Sequence, residues 1–478
     1  MSAQPLPQLV EEEGEPTAPL RTPPSVTVII PAHNEAESIT ETVRSCLEQT
    51  YKPQRVLVMA DACSDDTAEL AREAGAEVIE VDFKCKSLCQ RAALELVTTD
   101  IVVGLDADST FSPNAIALMV VDLHKGYDAT CTTVLPKQEK GLFPRSRALN
   151  YAVACRWWRF IEKGLGRLQC ISGCGYAMRV KALRDAGGFA VDAISEDRLT
   201  TWDLYAHGAR LTYTPRALVY TQEPETLKTY YKQLNRWSAS WFQVVSIHRK
   251  QLVKPNVLLI VLATLWDIIT APVIYLVFLY GLYVHGGGLI LLLWLAARIL
   301  FIVAVATPLL GLKRTLLCIV PNEIVSLLDR GIYFTTFCRE WLFGRHYASW
   351  TGRQGRKTVI TRMRLPRKLT FASSLGLVVL LLPATLAVLP SPVRDRVLES
   401  VLAEPQLSKV EPDPSPGRSH RKARLVRQEP GRAGDGLLPS LPAPSPSPTP
   451  DPTPTPDPSP DPDPSPDPTP GPDPSPSP

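Results

Sequence analysis

The chain has 478 residues, 45% hydrophobic and 21% charged, with a formal net charge of only +3. That length allows a sizeable core and more than one region, and no nucleic-acid partner is expected from so balanced a charge. Ten cysteines are scattered between Cys46 and Cys338, which argues against a secreted disulfide framework and suits free thiols in a cytosolic and membrane-embedded body. The pairs Cys85/Cys89 and Cys170/Cys174 have no histidine nearby, so a zinc site is not expected.

Residues 1–24 contain Glu11-Glu12-Glu13 and several prolines, with neither a basic n-region nor an apolar h-region, and read as a disordered cytosolic leader. Residues 26–30 form a near-continuous β run closed by Pro31. Ser38-Ile-Thr-Glu41 resembles a capping box and opens a helix through about Leu47. A second strand spans 55–59 and ends in acid at Asp61. Asp65-Asp66-Thr67 opens a helix over 68–74, which Gly75 stops. A third strand follows at 77–81 and a helix at about 87–97. Alternation of strands with such helices predicts βαβ units and a mainly parallel sheet. Neither G-x-G-x-x-G after the first strand nor G-x-x-x-x-G-K-[ST] occurs, which disfavours dinucleotide binding and P-loop chemistry.

The fourth strand, Asp100-Ile-Val-Val-Gly-Leu-Asp106-Ala-Asp108, turns abruptly from β-branched residues into acid. Its carboxyl end is where open α/β sheets present ligand groups. Asp106 and Asp108 are hard oxygen ligands suited to Mg²⁺ or Mn²⁺, with further positions for diphosphate oxygens and water. A plain strand terminus with acidic turn residues has the same sequence.

Ile30-Pro31-Ala32-His33-Asn34-Glu35, Asp61-Ala-Cys-Ser64-Asp65-Asp66-Thr67 and Asp106-Ala-Asp108 resemble the successive nucleotide-sugar motifs of inverting family 2 glycosyltransferases. Ser195-Glu196-Asp197 resembles the T-E-D motif of cellulose synthases. Gln233-Leu-Asn-Arg236-Trp237 matches the Q-x-x-R-W motif of cellulose, hyaluronan and poly-N-acetylglucosamine synthases. The resemblance spans about residues 25–245 and implies a GT-A fold, an α/β nucleotide-diphospho-sugar transferase with a Rossmann-like sheet.

It also implies roles. Asp61 would read the uracil edge, with Ala32, His33 and Glu35 lining the nucleoside pocket. Asp106 would lie toward the ribose and assist Asp108, the metal ligand, and Lys86 would stand near the phosphates. A solvated lysine at a helix start is the alternative for Lys86. Asp197 would be the general base for the acceptor hydroxyl, with Glu196 raising its proton affinity by like-charge repulsion. Ser195-Glu-Asp is also good first-turn helix chemistry. Gln233, Arg236 and Trp237 would meet the diphosphate and the acceptor sugar. The run around them, 230–242, would equally suit an interfacial aromatic belt. Ile171-Ser172-Gly173-Cys174-Gly175-Tyr176 resembles the loop beneath the acceptor, with Cys174 near the terminal sugar or simply a buried thiol.

Residues 257–284, 289–310 and 371–389 are long and apolar enough to span a bilayer about 30 Å thick. Residues 315–343 are interrupted by Asn322-Glu323, Asp329-Arg330 and Arg339-Glu340 and read as an interfacial or re-entrant pair. Asp267 and Arg298, ionisable groups in apolar runs, suggest a pair or a polar path; a cytoplasmic span end and a snorkelling arginine are the alternative. Eight Arg/Lys and no acid in 345–368 put that loop, and the catalytic domain, on the cytoplasmic side. Trp350-Thr351-Gly352-Arg353 resembles the W-G-T-R gating segment of hyaluronan synthases with its middle residues swapped. From residue 437 the tail is Pro with Ser, Thr and Asp, and reads as extended and without a core.

The expected organisation is therefore a leader (1–24), a GT-A domain (25–248), transmembrane and interfacial helices (249–343), a basic cytoplasmic loop (344–370), a transmembrane helix (371–390) and a disordered Pro-rich tail (391–478). The expected protein is a multi-pass cell-membrane enzyme that polymerises N-acetylglucosamine or glucose from a UDP-sugar. Its partners would be that donor, a growing glycan or lipid-linked acceptor and membrane lipids. With no span ahead of the catalytic domain, either a homo-oligomer or an accessory export protein would complete a channel, or the product never crosses. The rivals are single-sugar transfer to a lipid carrier and an idle membrane anchor presenting the tail.

Overall fold

The computed structural model describes residues 23–191, 194–283, 287–347, 349–351 and 357–359. The first half follows the expected alternation: β1 (Val26–Ala32), α1 (Ile39–Leu47), β2 (Arg55–Asp61), α2 (Thr67–Glu73), β3 (Glu77–Val81), α3 (Lys86–Leu96) and β4 (Ile101–Leu105). β1, β2 and β4 are almost wholly buried, because helices cover both faces of a parallel sheet and leave no polar side for alternation. β3 is the edge and stays partly exposed. β1 does not stop at Pro31 but runs on to Ala32, since Pro31 lies past Ile29, the last residue paired to β4.

The capping box is not formed. The Ser38 hydroxyl donates to the Ala107 carbonyl at 2.9 Å and makes no cap bond, and Thr42, one turn on, donates to the same carbonyl at 2.9 Å. The buried carbonyl between Asp106 and Asp108 needs donors, and α1 supplies two.

The chain continues as β5 (Thr110–Phe111), α4 (Ala115–His124), β6 (Ala129–Pro136), α5 (Leu142–Val153), a π-turn (Ala154–Trp158), α6 (Arg159–Gly164), β7 (Gly175–Arg179), α7 (Val180–Asp185), α8 (Glu196–Ala206), β8 (Leu211–Thr221) and α9 (Leu227–Ile247). The eight-stranded sheet has the order β3-β2-β1-β4-β7-β6-β8-β5. Its first four strands are parallel, as expected. Beyond β4 it is mixed: β7 runs antiparallel to both β4 and β6, β6 and β8 are parallel, and β5 returns antiparallel to β8. β7 is reached through two helices and a long loop instead of a one-helix crossover, so it enters from the opposite end. Gly104 faces Tyr176 across the β4–β7 pair, and a Cβ there would stand 2.0 Å from the tyrosine ring, so only glycine fits.

α10 (Pro255–Tyr283), α11 (Gly287–Leu310) and α12 (Leu312–Phe337) follow, then a π-turn (Cys338–Leu342) and a hairpin of β9 (Ser349–Thr351) and β10 (Lys357–Val359). The re-entrant pair expected over 315–343 is one continuous helix, because its polar residues find partners. Tyr230 donates to Asp329 at 2.7 Å, and Glu340 accepts from the Tyr347 N–H at 2.7 Å. Asp267 and Arg298 do not pair: Arg298 Nε donates to both Glu323 oxygens at 3.0 and 3.1 Å, and Asp267 is exposed.

α11 and α12 dock on α5 through Ala148, Leu149, Ala152, Ile302, Ala306, Cys318 and Ile319. Trp241, Phe242 and Val245 of α9 pack on Val257, Val261 and Leu265 of α10. The proposed aromatic belt on α9 is thus largely interior. Exposed aromatics include Tyr231 of α9, Trp266 and Trp294 on the following helices, and Trp157, Trp158 and Phe160, with Trp157 edge-on to Phe301 of α11 at 5.0 Å. Among the described residues one stretch, Leu292–Leu310, is long and apolar enough to cross a membrane; the apolar stretch Pro255–Thr270 is shorter. The leader, most of the basic loop, the span at 371–390 and the Pro-rich tail lie outside the described residues.

Candidate active site

β2 ends on Asp61, whose side chain is buried. Its two carboxylate oxygens accept the backbone N–H groups of Lys84 (2.8 Å) and Cys85 (3.0 Å), while the His33 ring nitrogen Nδ1 lies 2.7 Å from the Asp61 carbonyl oxygen. Asn34, Ala62 and Lys84 all have positive φ, of 54°, 51° and 53°. Left-handed backbone is uncommon outside glycine and gathers at ligand sites, where neighbouring structure holds it. Here Asn34 is clamped to Ser64 (2.8 Å), the Ala36 N–H donates to Asp65 at 3.2 Å, and the Glu35 N–H donates to Thr67 at 2.8 Å. Ala32 and Glu35 thus lie on the loop clamped beside the end of β2 that carries Asp61. The role of the Lys84 and Cys85 amides was not legible in the sequence, since a backbone donor leaves no side-chain signal.

Across from it, Lys86 begins α3 and joins three segments. Its Nζ lies 2.6 Å from Asp106 Oδ1 at the end of β4 and 3.0 Å from Glu196 Oε1 at the start of α8. Burial opposes the ammonium charge, but Asp106 and Glu196 outweigh it and hold the lysine well above its usual range. Burial pushes Asp106 up to about 6, against the Lys86 ion pair and with the help of Asp108 and Glu196. Burial likewise opposes the Glu196 charge, but Lys86 and Arg236 pull this carboxyl below its ordinary value. Lys86 is therefore not a solvated surface lysine, and the Glu196 charge is taken up by it.

Asp197 turns the other way. Its Oδ2 accepts the Gly173 N–H at 3.2 Å, and its Oδ1 the Arg198 N–H at 2.7 Å. A Cβ at Gly173 would stand 3.2 Å from Asp197 Oδ2, so the loop approaches the carboxylate this closely because residue 173 is glycine. Ser195 does occupy the N-cap position of α8 but makes no cap bond. Cys174 lies beside Asp106 and Asp108, with Sγ 3.3 Å from Ser172 Oγ, and burial pushes its thiol well up, which suits an inert structural thiol.

On α9, capped by Thr226, Arg236 points at the start of α8, with Nη1 3.4 Å from the Ile194 carbonyl. Trp237 and Gln233 meet a residue that sequence reading missed. Arg147 of α5, 5% exposed, lies over the rings of Tyr230 (4.4 Å) and Trp237 (4.8 Å), with Nη2 3.5 Å from Gln233 Oε1 and Nε 3.7 Å from Glu223. Tyr151 donates to the other Glu223 oxygen at 2.7 Å. The available signal was a lone arginine spaced i, i+4 from both Phe143 and Tyr151 on an apolar helix face. Trp350 lies on β9, beside α9; Arg353 is outside the described residues.

Among the described residues no three His, Cys, Asp or Glu side chains gather into a ready-made metal cage. The donor set nevertheless fits a Mg²⁺- or Mn²⁺-like ion that shares its shell with substrate phosphates. Asp106 and Asp108 are hard donors, and burial with the added repulsion of Asp108 raises Asp106, a penalty that a cation would relieve. Asp108 is oriented by Ser109 at 3.0 Å.

The family model described as "Glycosyltransferase like family 2" matches residues 23–240. Residues 23–240 are a family 2 glycosyltransferase domain. Over 227 residues the chain is 25% identical to the poly-beta-1,6-N-acetyl-D-glucosamine synthase of Staphylococcus epidermidis, covering 46% of this chain and 55% of that protein. The synthase of the same name from Staphylococcus aureus strain COL is 26% identical over the same length and shares. The chain thus spans about half the length of the curated relatives it matches. Among solved structures, the mannosyltransferase PcManGT from Pyrobaculum calidifontis, in complex with GDP-Man and Mn²⁺, is 20% identical with a TM-score of 0.46, covering 63% of this chain and 88% of that one. The glucosyl-3-phosphoglycerate synthase of Mycobacterium tuberculosis, in complex with Mg²⁺ and UDP, is 19% identical with a TM-score of 0.34, covering 47% and 77%. In this domain Asp61 ends β2, and Asp106 and Asp108 follow the carboxyl end of β4.

Proposed function

We propose that the chain is a membrane-associated inverting glycosyltransferase that polymerises N-acetylglucosamine or glucose units from a UDP-sugar. The observation that carries this reading is the convergence of Asp106 and Glu196 on Lys86, with Asp197 next along α8 held by the Gly173 amide and Arg236 acting on Glu196 from α9. Asp61, held by two backbone amides, would take the nucleobase edge. Lys86 and Arg236 supply fixed cations where the diphosphate leaves, and donor entry would let Lys86 exchange Asp106 for phosphate oxygen. A divalent ion on Asp108 and Asp106 would neutralise the leaving diphosphate when bound. Asp197 would accept the acceptor hydroxyl proton, and direct attack by that oxygen inverts the anomeric carbon. Processive transfer is supported by the Q-x-x-R-W helix packing on α10 and α12, next to the apolar stretch Leu292–Leu310, and by the names of the relatives.

The test is incubation of the purified full chain with a panel of UDP-sugars and GDP-mannose, with Mg²⁺, Mn²⁺ or chelator, reading nucleotide release and product length. Metal-dependent UDP release with long products is expected. Asp197→Asn should lower kcat about 10³-fold while UDP affinity holds. Short lipid-linked products alone would replace polymerisation by single transfer, and no release from any donor would overturn the catalytic reading.

A further inference from the structure

β6 and β8 run parallel, and their register separates two ends of the domain. Pro136 and Thr221 pair at the end near Asp108, whereas Ala129 and Leu211 pair at the other. At that second end lies an open cavity of about 340 Å³, bounded by the end of α6, the turn between α8 and β8, Tyr127 ahead of β6, and Lys254 just before α10. Lys163, Arg210 and Lys254 line it, together with Tyr127 and Tyr205, and no carboxylate does. Among the described residues none of the three cations forms an ion pair. Lys163 Nζ donates to the Tyr213 carbonyl at 3.3 Å and the Arg210 guanidinium lies 5.2 Å from the Tyr127 ring, while Asp128 outside the lining accepts the Arg210 backbone N–H at 2.8 Å. Like charges brought to one concavity repel, and an anion bearing several oxygens relieves them.

We propose that this cavity binds a phosphate group. The surroundings favour a phospholipid headgroup as its source, an assignment that rests on the membrane association proposed above. The exposed Trp157, Trp158 and Phe160 lie at the start of α6, one to two turns ahead of Lys163 at its end, and Val253, 84% exposed, precedes Lys254. Asn256, in the first turn of α10, donates to the Leu165 carbonyl at 2.9 Å, which fixes the rim of the cavity to the helix that leaves it. Aromatic side chains beside basic ones are the composition of a headgroup layer.

The full chain is titrated with phosphatidylcholine vesicles with and without phosphatidylglycerol, and separately, in detergent, with inorganic phosphate. The variant Arg210→Gln/Lys254→Gln removes two lining charges, and Arg249→Gln/Lys250→Gln removes two exposed charges outside the lining. The cavity variant should lose about thirtyfold in affinity for phosphatidylglycerol vesicles, and the control variant much less. Loss of inorganic phosphate binding alone would support the phosphate site and assign it to a free anion. Equal losses in both variants, or none in the cavity variant with an unchanged thermal transition, would overturn the proposal. Binding is read without turnover, so a chain that transfers no sugar yet shows this selectivity separates the two readings.

Discussion

Lys86 does with one ammonium what no carboxylate of the site does: it joins α3, the end of β4 and the start of α8. Replacing it with Gln leaves Asp106 and Glu196 facing each other without their cation. With about a third of its side chain exposed, the stability loss should be only ~1 kcal/mol. Its effect on transfer should be larger, about a 10²-fold fall in kcat/KM with a parallel loss of UDP affinity, measured by turnover and by UDP titration. At this scale the acids were legible, because Asp61, Asp106 and Asp108 end apolar strands. Lys86 was ambiguous, because a helix-start lysine in sequence has the same appearance whether it meets water or two carboxylates.

At the scale of elements, α9 carries the motif and α5 holds it in place. Arg147 stacks on Trp237 and Tyr230 and reaches Gln233, yet touches none of Asp106, Asp108 or Asp197 among its described contacts. It is a positioning residue. Arg147→Lys keeps charge without a planar fork, and is expected to raise the acceptor KM about tenfold with kcat nearly unchanged. Arg147→Ala should also lower the thermal transition, since it strands Glu223 in a buried setting. A purely structural role would predict no difference between the lysine variant and the native chain beyond stability. Helices α1 to α3 were legible from their start and stop signals, whereas α5 carried no expectation from the sequence. What each helix buried was not legible, because 230–242 has an aromatic pattern that suits either an interior face or a membrane surface, and only the packing of Trp241 and Phe242 on α10 decides it.

For the molecule as a whole, the parallel half of the sheet followed from strand–helix alternation, while the reversal at β7 depends on how a long connection returns and leaves no local signal. The continuity of α12 was hidden for a related reason: partners for its polar residues come from distant segments, such as Tyr230 for Asp329. The helical half is tied to the glycosyltransferase domain through small residues, with Ala148, Ala152 and Ala306 fully buried where α11 and α12 meet α5. Ala306→Leu should force that seam apart and destabilise the protein by about 1–3 kcal/mol, read as a lower thermal midpoint in detergent. An unchanged midpoint would mean that the seam is slack.

The two hydroxyls that Ser38 and Thr42 direct onto the Ala107 carbonyl have a consequence for donor choice. The first turn of α1 follows Asn34 and Glu35 and also holds the turn between Asp106 and Asp108. On the function proposed above, one helix end would set the spacing between the nucleoside pocket and the diphosphate. A donor with one phosphate too few would then reach only one of the two.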